Sequence, residues 1–441
     1  MAAKQRQLGE FLPVEVWRSC LEYASYRDQI NFSTACRLFR EICLPFIFKS
    51  IVYTSKSSQD SNLSWVEAME ERSVKFQELV SNLSIASCVR QCRLAVSFTG
   101  TQKEWDRQIE EDKISKPALA YKAFSEGFLL ALPKLPNLQD VTIQLLYGSV
   151  DPRLLTILAE MRCLQRLLFH AVSFKGTALQ TINNPIPRLK PRELEIAAYG
   201  APADITVDDE LPYFSSERLE RLSIRSLWIA PRILLDLSKR DICHRLVSLE
   251  VELANKDRSI LYTILSRCPQ LQRLEVELPS YTESAFPPIP QSSVPLLSAY
   301  VGPAAFATAI IPGHPVRSAE ISSDSGWDRG EHHDVTRAII LWGQSSGPLV
   351  DVVLPTIPCH PDLVSAIGEH FRGLHTLRLI LRNHDDFEEE DDMGADDENE
   401  SDDGDNEHDM EDFVIPTDDN GDSQSSALGY KVCTNSMQLS N

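Results

Sequence analysis

The chain has 441 residues, 43% hydrophobic amino acids and a formal charge of −21, which is enough material for two or three folded domains. It has no apolar run of about eighteen residues and no apolar stretch at its start, so we expect an intracellular protein, cytoplasmic or nuclear, that does not bind membranes. The ten cysteines lack zinc-ligand spacing and no Lys/Arg cluster stands out, so we expect no metal, no cofactor and no nucleic acid.

Three short helical patterns fill residues 10–51. Pro13 suits the first turn of a helix, Asp28 is placed to cap a second, and Pro45 is expected to end a third. Three helices in about forty residues make a core too small to be stable without further contacts. The pattern therefore predicts a module that docks on a partner.

The same residues resemble an F-box, most of all those of fungal F-box proteins. The positions that carry the resemblance are Leu12-Pro13, Glu15, Cys20-Leu21, Tyr23, Asp28, Ser33, Cys36-Arg37, Phe39-Arg40, and Pro45 with Phe48. The resemblance implies a Skp-type adaptor as partner and, through it, a cullin scaffold that carries the ubiquitin-transfer machinery. It implies an adaptor-binding set of Leu12, Pro13, Val16, Leu21, Ile30, Cys36, Leu38 and Phe39. The alternative is a self-contained three-helix core with no partner.

The next segment, residues 53–130, reads as a helical connector that caps the domain after it. We expect helices over Trp65 to Val80 and Pro117 to Leu132, and a first strand within Val89 to Phe98.

From Pro136 the chain repeats segments of the form L-x-x-L-x-(I/V/L). Their middle anchors are Val141, Leu167, Leu194, Leu222, Leu249, Leu274, Ala299, Ala319, Val352 and Leu377, with steps of 26, 27, 28, 27, 25, 25, 20, 33 and 25 residues. A step near 26 suits one strand and one returning helix per unit, stacked into a curved solenoid.

The repeats resemble the leucine-rich repeats that often follow an F-box, with one departure. The Asn or Cys expected after each strand is replaced by Leu146, Val172, Leu227, Ala254, Pro279 and Arg382. We therefore expect an irregular arc, distorted around Pro287 to Gly347 by a proline-rich insert. A protein client would bind the exposed strand positions, for which the candidates are Gln165, Arg166, Glu220, Arg221, Gln272, Arg273, His375 and Arg378.

The last segment is acidic. From Asn383 onward the sequence holds 21 Asp and Glu residues against one Lys, so −20 of the total charge of −21 lies there. Such a stretch cannot offset its ordering entropy and is expected to be disordered. A solvating role and a role in contacting basic partners both remain open.

One motif suggests catalysis. Gly343-Gln344-Ser345-Ser346-Gly347 matches the nucleophile elbow of serine hydrolases, follows a strand-like AIILW, and has His360 and Asp362 nearby. The segment after it reads as a strand where an elbow needs a helix, so we expect no enzyme and treat a serine hydrolase as a minor alternative.

The expected fold class is α/β, with a small all-α F-box at 8–52, a connector and repeat cap at 53–130, and a leucine-rich-repeat-like solenoid at 131–383. A disordered acidic tail at 384–441 completes the chain. The expected function is substrate recognition for an SCF-type ubiquitin ligase, and the main alternative is a non-proteolytic F-box and repeat scaffold.

Overall fold

The computed structural model describes residues 12–55, 65–96, 116–145, 150–172, 188–198, 213–240, 242–278, 286–322, 332–357, 361–381 and 437–438. These residues form a mixed α/β structure of twelve α-helices and one open sheet, whose strands follow one another in chain order. Strands β1 to β12 are parallel, and the short β13 pairs antiparallel with β12.

The chain opens with three helices, α1 (Val14–Glu22), α2 (Tyr26–Ala35) and α3 (Arg37–Ile47). The next elements are β1 (Ser50–Thr54), α4 (Trp65–Ser81), α5 (Leu83–Ala86), β2 (Gln91–Val96) and α6 (Lys116–Ala131). The central elements are β3 (Asp140–Leu145), α7 (Pro152–Glu160), β4 (Arg166–His170), β5 (Glu193–Ala197), β6 (Arg221–Arg225), α8 (Ala230–Arg240), β7 (Ser248–Glu252) and α9 (Arg258–Leu265). The last are β8 (Arg273–Glu277), β9 (Ala299–Gly302), α10 (Ala304–Ile310), β10 (Ser318–Ile321), α11 (His332–Trp342), β11 (Asp351–Ile357), α12 (Pro361–His370), β12 (Thr376–Leu381) and β13 (Met437–Gln438).

Two predictions about the first helices were wrong. Ser25, not Asp28, caps α2: its Oγ accepts from the Asp28 N–H at 3.2 Å and donates to Asp28 Oδ2 at 2.6 Å. Asp28 is thus the third residue of α2, and its carboxylate accepts from the hydroxyl of the capping serine. Pro45 does not end α3, which continues to Ile47, because its missing N–H leaves a single helical carbonyl without its donor.

The sheet begins earlier than the sequence indicated. The predicted first strand matches β2, but β1 lies before it and pairs with it in parallel. The two predicted connector helices correspond to α4 and α6, which pack against each other. Tyr53 on β1 stacks on Phe124 of α6, with ring centroids 3.8 Å apart and planes 3° apart, so the connector shares one core with the sheet.

The predicted repeat anchors occupy one register across the sheet. From β1 to β12 the residues at this position are Ile51, Cys92, Val141, Leu167, Leu194, Leu222, Leu249, Leu274, Tyr300, Ala319, Val352 and Leu377. All but Leu377 are buried, and they pack in one continuous core with apolar residues of the helices. The period of about 26 residues is therefore one parallel strand and its return.

One anchor was wrong by a single residue. The sequence pattern placed Ala299 at the anchor of β9, but Tyr300 occupies it, buried, with its hydroxyl donating to the Pro303 carbonyl at 2.8 Å. Leu296 and Leu297 both match the leading Leu of the pattern, and only Leu297 is buried. A slip of one residue in a strand turns every side chain to the other face.

A backbone ladder runs along the start of the sheet. The carbonyl of the residue before each strand accepts two N–H groups from the next strand's start, as Gln165 does from Arg192 (2.7 Å) and Glu193 (2.9 Å). The same pattern recurs from Lys49, before β1, to Val350, before β11. These bonds hold successive strands in register at the edge where the chain enters the sheet.

Irregularity was predicted around Pro287 to Gly347, a range that contains β9 and β10 but not β11. Strands β9 and β10 have four residues each, and the register shifts between Leu354 and Thr356 in β11. The acidic tail lies outside the described residues except for β13.

Candidate docking surfaces

The first candidate surface is the three-helix unit, whose own core is small. Only Leu21, Ile42 and Cys43 are fully buried there, with half-buried apolar residues around them. Trp17 packs edge-to-face on Phe39, with ring centroids 4.9 Å apart, and Phe39 also contacts Phe32 at 5.7 Å. The core therefore uses only part of the apolar surface that the helices carry.

The rest of that apolar surface is open to solvent. Leu12, Val16, Ile30 and Leu38 are 43%, 40%, 39% and 37% exposed. Pro13 and Cys36 of the predicted adaptor-binding set are also exposed, and Phe39 is half-buried. Phe32, which the sequence interpretation left out, is 40% exposed. We name the set of Leu12, Val16, Ile30, Phe32 and Leu38 the apolar helical surface.

Leu21 is the exception in the predicted adaptor-binding set. It is 2% exposed and belongs to the core of the helical unit, so its side chain faces inward. Its backbone carbonyl accepts a hydrogen bond from Gln29 Nε2 at 2.8 Å, and Gln29 reaches the Ala24 carbonyl at 3.2 Å. A buried amide thus fixes α2 against the end of α1.

The second candidate surface is the exposed face of the sheet. Along each central strand the anchor and the residue two further on are buried, while the alternate side chains are partly or fully exposed. This period of two is typical of a strand that is covered on one face only. In β4, β6, β7 and β8 these alternate positions are half-buried or exposed, so this face of the sheet is accessible.

Arginine and glutamate pair across this face. Arg166 Nε lies 3.5 Å from Glu193, which also lies 3.6 Å from Arg221 Nη1. Arg225 Nε donates to Glu250 at 2.5 Å, and Arg273 Nη2 to the Glu275 carboxylate at 2.9 Å. Exposed pairs of this kind contribute little stability, but they set the charge that a partner would meet.

A concavity of about 460 Å³ lies over the same strands. Its lining residues are Arg166, Glu193, Leu194, Glu195, Arg221, Leu222, Ser223, Arg225, Ser248, Glu250, Arg273 and Glu275. Several of these were missed as candidates, although they stand one residue before or after a predicted anchor. Their position next to a buried anchor could have identified them, because neighbouring residues in a strand point to opposite faces of the sheet.

The predicted client-binding residues fall into two groups. Arg166, Arg221, Arg273 and Arg378 lie on exposed strand positions. Gln165, Glu220, Gln272 and His375 instead lie one residue before a strand, and the first three supply carbonyls of the backbone ladder. The structure therefore brings the arginines to the face and leaves the other four at its edge.

Burial and neighbouring charges shift the pKa of two side chains on this face, His170 and Arg225. Burial is the main cause that lowers the pKa of His170 below its usual value, against the opposing effect of Glu195. The pKa of Arg225 is raised, chiefly by its hydrogen bond to Glu250. His170 is therefore neutral and Arg225 charged at pH 7.

The serine motif does not form a nucleophile elbow. The expected strand AIILW is the end of α11, and a strand follows, so the order of elements is reversed. Ser345 Oγ lies 2.7 Å from the His314 carbonyl oxygen and 3.1 Å from that of Val316, so its proton is committed to the backbone. His360 lies outside the described residues.

A scan against models of known protein families gave no match. A search of curated proteins likewise found no significant match. Across the described ranges, no helix is both long enough and apolar enough to cross a bilayer. Nor does the described part of the chain contain a group of three His, Cys, Asp or Glu residues placed to hold a metal ion.

Proposed function

We propose that this chain is the substrate-recognition subunit of an SCF-type cullin-RING ubiquitin ligase. In this proposal the helical unit is an F-box that binds a Skp-type adaptor, and the repeats are an irregular leucine-rich-repeat solenoid whose sheet face holds a protein client. The observation that carries the proposal is the apolar helical surface, which stays exposed on a unit with a very small core.

An adaptor that covers this surface would add burial where the unit lacks it. Complete burial of a Leu, Ile, Val or Phe side chain contributes roughly 1.5–3 kcal/mol, so covering the exposed 37–43% of each residue contributes roughly 1 kcal/mol apiece. Five such residues supply apolar area of the kind found at the centre of a specific interface, before entropic costs.

The proposed activity needs no catalytic group in this chain. Binding of a client to the sheet face and of the adaptor to the helices holds both on one body, which raises the concentration of client near the bound conjugating machinery. The shared core between the connector and the strands supports this role, because β1 follows α3 after two residues and joins the helices to the sheet.

The test is co-purification of the full chain with a Skp-type adaptor. Wild type is compared with a Leu12→Ala/Pro13→Ala double variant, and with Val74→Ala as a matched control, since Val74 is exposed on α4. A stoichiometric complex for wild type and control, reduced in the double variant, supports the proposal. A folded wild-type chain without adaptor contradicts it.

A second experiment separates the receptor from a scaffold. If the chain delivers clients for degradation, proteins that co-purify with it accumulate when the proteasome is inhibited. Partners that bind stably and do not change in abundance indicate a scaffold.

A further inference from the structure

We propose that the outer edge of β12 is a docking surface for an extended strand, and that the last residues of this same chain, around Met437 and Gln438, occupy it. β12 is the last of the parallel strands and lies, in strand order, furthest from the helical unit. The inference therefore goes beyond the proposed function and does not depend on adaptor binding. It concerns how the open end of the sheet is closed.

The backbone of β12 is paired unevenly on its two sides. Toward β11 its register runs from Thr376 to Leu381. On the other side, Thr376 and Leu377 have Gln438 and Met437 of β13 as their register partners. Within the described ranges, no strand pairs with the rest of β12 on that side. Free N–H and C=O groups along such an edge pair readily with another extended chain.

The core is also less covered at this end of the sheet. Among the strand anchors, Leu377 alone is not fully buried, and Leu379, two residues further on, is partly buried as well. The corresponding residues of β11, Val352 and Leu354, are both 0% exposed. Val364, on the helix before β12, is 55% exposed. A stack of repeats leaves apolar surface at its end unless a further segment covers it.

The sequence changes in character before it returns to this edge. All 21 acidic residues of the tail lie between Asp385 and Asp422, and the nineteen residues that follow have a single charged side chain, Lys431. The last segment therefore lacks the self-repulsion that keeps an acidic stretch from ordering. Met437 and Leu439 alternate with polar residues, which is the spacing of a strand with one apolar face.

The direction of pairing suits a return of the same chain. β11 and β12 are parallel, whereas β13 is antiparallel to β12, and an antiparallel partner needs no crossover helix. As a flexible chain, the connecting residues 382–436 span on the order of 40 Å, so they reach the edge without strain. Docking would thus make the acidic tail a loop that is attached to the last repeat at both ends.

The first experiment compares hydrogen exchange of the full wild-type chain with that of Met437→Asp. Aspartate disfavours strand pairing, and Ser425→Asp, which adds the same charge earlier in the tail, is the matched control. We expect amides of β12 to exchange at least about tenfold faster in Met437→Asp than in wild type or control, while β3 to β8 stay unchanged. Equal exchange of β12 in all three chains would overturn the proposal.

The second experiment adds the strand from outside, as a labelled peptide of residues 430–441 that carries Cys433→Ser to prevent oxidation. In wild type the attached segment competes at a high effective concentration. Fluorescence anisotropy should therefore show the peptide binding at least about tenfold more tightly to the Met437→Asp chain than to wild type. Equal binding to the two chains, or equal binding of a scrambled peptide, would overturn the proposal.

Sedimentation of the wild-type chain tests whether the strand comes from the same molecule. Docking within one chain predicts a monomer. A wild-type dimer that Met437→Asp dissociates and Ser425→Asp leaves intact would overturn it, because a second copy would then supply the strand.

Discussion

Gln29 donates a hydrogen bond from Nε2 to the backbone carbonyl of Leu21 across 2.8 Å, and this contact joins α2 to the end of α1. The Gln29 side chain is 8% exposed in a unit with only three fully buried apolar residues. The orientation of the first two helices therefore depends on a polar contact as well as on packing.

Gln29→Ala is expected to loosen the helical unit. It removes the donor that serves the Leu21 and Ala24 carbonyls, and because the Leu21 carbonyl keeps the Ala24 N–H at 3.2 Å, the expected cost is about 1 kcal/mol. Hydrogen exchange of peptides from residues 14–47 should accelerate, while exchange in β3 to β8 stays unchanged. Arg27→Ala, at an exposed position on the same helix, is the control. Unchanged exchange in the Gln29 variant would contradict this role.

Tyr53 links the connector to the sheet through its ring and its hydroxyl. The ring stacks on Phe76 and Phe124, and the hydroxyl donates to the Phe124 carbonyl at 3.0 Å. Tyr53→Phe should lower the free energy of unfolding by about 1 kcal/mol, and Tyr53→Ala by about 3–5 kcal/mol. Urea unfolding measures both, with Val52→Ala, 60% exposed, as control.

We expect the protein to lose stability at alkaline pH because of the same tyrosine. Burial raises the pKa of Tyr53 from 10 to about 12. Because the folded value is above the unfolded one, its contribution is complete below pH 10 and is lost as the pH rises from 10 to 12. The stability of Tyr53→Phe should fall less across that window than wild type. Parallel curves for the two proteins would contradict the assignment.

Gly302 is expected to resist substitution. Its φ is +150°, and an added Cβ would lie 2.6 Å from the Val276 carbonyl oxygen on the neighbouring strand. Gly302→Ala should therefore destabilise the protein by about 2 kcal/mol or more, through strain and a clash with backbone. Gly368 lies in α12 with no atom near an added Cβ, so Gly368→Ala should stabilise by up to about 1 kcal/mol. Thermal unfolding compares the two.

Asp236 provides a test of a buried charge. It is 1% exposed on α8 and lies 2.5 Å from Arg240 Nη2. Asp236→Ala removes a buried carboxylate and its charged hydrogen bond, while the Arg240 side chain, 34% exposed, keeps access to water, so the expected cost is about 1.5–3 kcal/mol. The exposed pair Arg37–Glu41 is the comparison, where Glu41→Ala should cost less than about 1 kcal/mol. Similar costs at the two sites in denaturant unfolding would contradict the contrast.

The strands of the sheet could be predicted from the sequence where each repeat buries the same strand position. Nine of the ten predicted anchors lie in the observed register because each unit must bury the same strand position. The tenth slipped because the frame that starts at Leu296 ends on Val301 and matches the pattern, whereas the observed frame, which starts at Leu297, ends on Gly302. β1 was missed because it is short and spans the junction between residues 10–51, which read as helical, and the connector that begins at residue 53.

The docking surfaces were less predictable. Helical spacing places Val16 and Leu21 on adjacent apolar faces of the first helix. Which of the two side chains is buried in the core of the helical unit depends on how the helices pack. The pairing of Arg225 with Glu250 joins residues from different repeats and requires the sheet register. Sequence alternation alone identifies two faces of a strand without saying which one the helices cover.

Adaptor binding is tested most sharply by the affinity of the full chain for a purified Skp-type adaptor, measured by calorimetry. Ile30→Asp and Leu38→Asp alter the apolar helical surface, whereas Leu130→Asp alters an apolar residue of α6 that is 63% exposed. We predict a 1:1 complex that each helical variant weakens by at least about tenfold, or about 1.4 kcal/mol, and that Leu130→Asp leaves intact. Absence of binding by folded wild-type chain, or equal weakening by all three variants, would contradict the proposed ligase function.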